Sequence, residues 1–93
     1  MNNKIIYQKA LLKWGFKNQS IMLMEECSEL IQAVSKLHRY GNPNKMYEEI
    51  ADVEIMIEQI KQIYGEVGKK EIKKHKINKL EKLQGLVENA KNC

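Results

Sequence analysis

The chain has 93 residues, of which 43% are hydrophobic and 30% charged, and a formal net charge of +4. That describes one small domain over residues 1–93, one that gains from burying surface in an oligomer. No run approaches the ~18 consecutive apolar residues of a membrane span. The start, Met1-Asn2-Asn3-Lys4-Ile5, does not read as a secretory signal. Cys27 and Cys93 form no metal-spaced pair, so free thiols in a reducing cytoplasm are expected.

In chain order, a short helix is predicted near residues 3–14, then longer ones near 19–39, 44–64 and 68–90. The breaks are the stretch from Gly15 to Ser20, the turn Gly41-Asn42-Pro43-Asn44, and the pair Gly65 and Gly68. Ser20 or Asn18 is suited to cap the second helix. No segment alternates with period two, so no strand is expected. The predicted fold is all-α: an antiparallel bundle of about four helices, completed by oligomerisation.

Charge is unevenly placed. Most acids fall within residues 25–66, whereas Lys69, Lys70, Lys73, Lys74, Lys76, Lys79 and Lys82 crowd the last helix. A basic helix suits nucleic acid, a solvated face, or the anion-binding side of an active site. Aromatic residues make up only 6% of the chain, which leaves few stacking platforms for single strands.

Successive helical residues turn by about 100°. On the third helix Val53, Met56, Ile60 and Ile63 then fall within about 40° of Glu49, which sits mid-way across the apolar side. Asp52 lies about 60° away, at its edge. The second helix repeats the arrangement: Met22, Leu23, Cys27, Leu30, Ala33, Val34 and Leu37 cluster around or just beside Glu26, with Glu29 at the border. Two helices thus each aim an acid pair inward. An ionised carboxylate among apolar groups is costly unless compensated, and several together repel one another. Protonation, lysine pairing or a divalent cation would each compensate them. Mg²⁺, a hard ion that takes oxygen ligands, suits the last, with Mn²⁺ as the alternative.

Glu25-Glu26-Cys27-Ser28-Glu29-Leu30, followed by Glu48-Glu49-Ile50-Ala51-Asp52-Val53, resembles the EExxE…ExxD signature of the MazG-like all-α nucleoside triphosphate pyrophosphohydrolases. The lead-in Trp14-Gly15-Phe16 and the run from Asp52 to Gln59 are similar to the compact, phage-type branch. The resemblance spans residues 5 to 84. It implies Mg²⁺-dependent cleavage of a nucleoside triphosphate between the α and β phosphorus atoms, giving a monophosphate and pyrophosphate. It also implies metal ligands at Glu26, Glu29, Glu49 and Asp52, with Glu25 orienting a ligand or the attacking water.

The family's phosphate-binding stretch finds its counterpart in Ile77-Asn78-Lys79-Leu80-Glu81-Lys82. There Lys79 matches the family's lysine and Lys82 replaces an arginine, giving a point charge in place of a fork. Lys76 is a further candidate for phosphate. Gln19 and Trp14 are candidates to touch the base, set against an ordinary role in packing. His38 and His75 are not spaced as a metal pair and read as structural. The expected partners are a nucleoside triphosphate and further copies of the chain, as a homodimer or homotetramer, with no membrane. The rivals are a nucleotide- or metal-binding relative without turnover, and a basic helical module for nucleic acid.

Overall fold

The computed structural model describes the backbone of residues 2–91 and the side chains of residues 2–89; Cys93 lies outside them. The described residues form three helices: α1 (Asn3–Tyr40), α2 (Asn44–Lys61) and α3 (Gly65–Lys91). The chain divides into two units, Met1–Ile63 and Tyr64–Cys93. No helix among the described residues is long and apolar enough to cross a membrane.

The first two expected helices run together as α1, with a break between them at Gly15 (φ 85°, ψ 159°). That backbone conformation is essentially restricted to glycine. Asn18 and Ser20 do not cap a new helix, because the chain is already helical when it reaches them. Asn18 Nδ2 instead donates to the carbonyl oxygen of Trp14 at 2.8 Å, on the edge of the break. The cap of α1 is Asn2, whose side chain accepts from the Ile5 amide at 3.4 Å. At the other end Gly41 takes the left-handed conformation (φ 76°), and its amide donates to the Leu37 carbonyl at 2.7 Å. A glycine there, followed by Pro43, ends the helix sharply.

Across that turn α2 packs back on α1 in antiparallel sense: Gln19 meets Gln59, whereas Ala33 and Lys36 share a depression with Lys45. The α1 side chains withdrawn from solvent along this face include Gln19, Leu23, Glu26, Leu30, Ala33 and Leu37. Those of α2 and its end include Met46, Glu49, Val53, Met56, Ile60 and Ile63. Both sets step by three and four residues, the seam of two helices packed nearly parallel to one another's axes. Ala33, Val53 and Met56 are its buried apolar members. Two layers in the seam are polar. One holds Gln19 and Gln59; the other holds Glu26 and Glu49, with Asp52 at its edge.

Candidate metal centre

Helical register delivers the acids to one place. Glu26 belongs to the inward row of α1 and Glu49 to that of α2. Asp52, three residues beyond Glu49, stands about one turn along, at the solvent border. Each offers a carboxylate oxygen within 4.8 Å of the others. Their environments are graded. Glu49 is buried, with 2% of its surface exposed; Glu26 is half-buried and Asp52 exposed.

Two oxygens in this group, Glu26 Oε2 and Glu49 Oε2, are buried and have no hydrogen-bond partner. Buried polar atoms are rarely left so, because each forfeits its water without replacement. The other oxygen of Glu49 is served: Lys45 Nζ lies 3.0 Å from Oε1. The Glu26 carboxyl is raised above its ordinary value of 4.5 by burial first, then by the charges of Glu29, Asp52 and Glu49, and by a hydrogen bond with Glu29. Lys45 is raised in turn, by its hydrogen bond and attraction to Glu49.

The donor set is oxygen only, carries several negative charges and has two unpartnered lone-pair sites. That combination fits a hard divalent cation such as Mg²⁺ or Mn²⁺. Next to it, Glu29, Gln32, Ala33, Lys36, Lys45 and Glu49 line a depression of about 230 Å³. Pockets for whole small molecules occupy roughly 300–1,000 Å³. This hollow has the size for a hydrated ion or a phosphate group.

The remaining candidate residues fall elsewhere. Glu29 is exposed at the mouth of the depression, close enough to act on Glu26 but outside the three-acid group. Glu25 is exposed and lines a shallower hollow with Met24, Ser28 and Glu29. Gln19 is buried, and its Nε2 donates to Gln59 Oε1 at 2.6 Å. Trp14 is about half exposed, with Lys13 Nζ 5.1 Å from its ring centre. It borders a small hollow with Asn18, Gln19 and Met22. Lys76 and Lys79 line an apolar groove on α3 with Ile72, His75, Leu80 and Leu83, and Lys82 is exposed.

Sequence reasoning missed Lys45 and Gln59. Lys45 stands four residues before Glu49, a spacing that places both on one helix face, and this was the available signal. Gln59 lies one step off the apolar row and gave no signal until α1 supplied its partner. Comparison with family profiles, with curated proteins and with solved structures finds no match.

Proposed function

We propose that the chain is a divalent-cation-dependent nucleoside triphosphate pyrophosphohydrolase of the MazG-like kind. It would cleave between the α and β phosphorus atoms to release a nucleoside monophosphate and pyrophosphate. The observation that carries this reading is Glu49: a buried carboxylate with an unpartnered oxygen, within 4.8 Å of ligand oxygens of Glu26 and Asp52. The EExxE…ExxD pattern gives the same residues a common purpose.

In this reading Glu26, Glu49 and Asp52 hold Mg²⁺ or Mn²⁺, and Glu29 joins them from the mouth of the depression. A bound ion there supplies neutralisation of phosphate charge and a more acidic water. Every other step belongs to the chain's own groups. Glu25, exposed beside the acids, orients the attacking water through its carboxylate. Lys76, Lys79 and Lys82 neutralise polyphosphate charge as it shifts to the leaving pyrophosphate. Trp14 and Gln19 border a hollow suited to one face of a base, with Gln19 held in place by Gln59. Self-association as a homodimer or homotetramer in the cytoplasm belongs to the proposal.

The test is pyrophosphate release from a panel of ribo- and deoxyribonucleoside triphosphates with Mg²⁺ or Mn²⁺. Release well above that of a Glu49→Gln, Asp52→Asn control supports the reading, and release equal to the control overturns it. The Lys45–Glu49 ion pair favours a second reading, because it already offsets part of the buried charge. In that reading the chain binds nucleotide without turnover, and nucleotide raises its melting temperature while no pyrophosphate appears.

A further inference from the structure

Lys45 occupies a position that local helix energetics disfavour. It lies in the first turn of α2, which contains no acid. A cation there opposes the positive end of the helix dipole. A lysine four residues before a glutamate is also the weaker of the two orientations of that pair. The lysine side chain is 63% exposed and would be free to extend into water. It bends instead to Glu49 Oε1 at 3.0 Å, while Glu48, on the exposed side, is 3.9 Å away.

The asymmetry of the pair explains the choice. A salt bridge between two exposed groups contributes little. Glu49 is 2% exposed, however, and a buried carboxylate left without a counter-charge is strongly destabilising. The ammonium takes one oxygen and leaves Oε2 without a partner, in a carboxylate that contributes an oxygen within 4.8 Å of oxygens of Glu26 and Asp52. A dication entering that group meets a carboxylate already engaged by a positive charge. Lys45 also lines the depression beside the acids, so this charge stands at the rim of the site.

We propose that Lys45 is the resident counter-ion of the acid cluster: it competes with the divalent cation for Glu49 and thereby sets how much cation is needed to load the site. The inference rests on the metal-centre reading above. In the cation-free protein the ammonium keeps Glu49 compensated. When a dication takes over that task, the lysine is released toward solvent, which its exposure makes cheap. Lys45 is a positioning residue, acting on the ion through Glu49.

The experiment uses the full chain and Mn²⁺ alone, with affinity read by calorimetry and by the paramagnetic resonance of free Mn²⁺. Lys45→Met removes the charge and keeps the helical side chain. It should bind Mn²⁺ about fivefold more tightly than the parent chain, the scale of one partly screened charge contact. Lys45→Arg keeps the charge and should stay within about twofold of the parent. Without Mn²⁺ the Lys45→Met melting temperature should fall, and saturating Mn²⁺ should restore it. Equal or weaker Mn²⁺ binding by folded Lys45→Met overturns the proposal. Where circular dichroism shows Lys45→Met unfolded, Lys45→Gln takes the same test. Failure of the underlying reading looks different: the parent chain then binds no Mn²⁺, or Glu49→Gln binds it as well as the parent does.

Discussion

Glu49 shares the inward row of α2 with Met46, Val53 and Met56, and its burial has energetic consequences in both directions. Without a cation, the carboxylate loses hydration and recovers one hydrogen-bonded ion pair. A neutral amide of similar shape removes the buried charge and leaves behind only Lys45, whose side chain is 63% exposed and stays hydrated. Glu49→Gln should therefore melt no lower than the parent chain in chelator, while the rise in melting temperature that Mn²⁺ gives the parent disappears. Thermal scans with and without Mn²⁺ check both halves; a loss of several degrees in chelator would contradict the first. Glu26 adds a dependence on pH. Its carboxyl is raised, by burial foremost, so the folded chain binds that proton more tightly than the unfolded one. The resulting stabilisation is complete below 4.5 and disappears as pH rises through the raised value. In chelator, the urea midpoint of the parent relative to Glu26→Gln should accordingly climb as pH falls through that window. A difference independent of pH would refute it. Cation binding requires the ionised form, so in the same window Mn²⁺ should release protons, seen as heats that vary with buffer.

At the scale of the element, the two polar layers of the α1–α2 seam divide the labour: one carries the acids and the other fixes their alignment. The amide pair Gln19–Gln59 is buried on both sides, at 6% and 7% exposure, with a short 2.6 Å hydrogen bond. A polar group at a seam position selects the register in which it finds its partner. Gln19→Leu alone leaves the Oε1 of Gln59 without its donor and should cost about 1–3 kcal/mol. Adding Gln59→Leu should return most of that cost while weakening Mn²⁺ binding, because the register is then held less firmly. A double-mutant cycle with urea denaturation and Mn²⁺ titration measures both effects. Gly15→Ala should cost about 1–3 kcal/mol, since its φ and ψ suit glycine alone. The periodicity of residues 19–39 and 44–64 made the inward rows legible, and with them the place of Glu26 and Glu49. What stayed hidden depended on the partner helix. Asn18 and Ser20 read as caps because a local rule cannot foresee that the break is confined to Gly15, so that the chain is helical again before it reaches them. Gln59 carried no signal of its own until Gln19 stood opposite it. Lys45 was overlooked because an i,i+4 lysine is ordinarily a solvated partner of little consequence.

The whole molecule exposes more apolar surface than its buried core explains. Ala33, Val53 and Met56 are the buried apolar side chains among the described residues, whereas Leu12 and Ile31 are 86% and 71% exposed. On α3, Ile72, Leu80, Leu83, Leu86 and Val87 are each between 43% and 59% exposed. A single helix cannot bury such a row against itself, and isolated helices gain little stability from propensity alone. A chain of this length supplies little core of its own, and association is the usual remedy. Closed symmetric pairs are the commonest solution, since one patch then serves both subunits. The expected mass by light scattering is therefore that of two or four chains. Leu83→Glu places a charge in the apolar groove of α3 and should shift the population toward the single chain, with a matching drop in melting temperature. In the proposed reaction Lys79 neutralises phosphate, whereas Glu26, Glu49 and Asp52 bind the ion. Lys79→Met should therefore raise KM severalfold yet leave Mn²⁺ affinity without nucleotide unchanged. A parent chain that scatters as a monomer at every concentration would remove the association while leaving the cation titrations to be judged separately. A Lys79→Met variant with unaltered KM would remove α3 from the reaction.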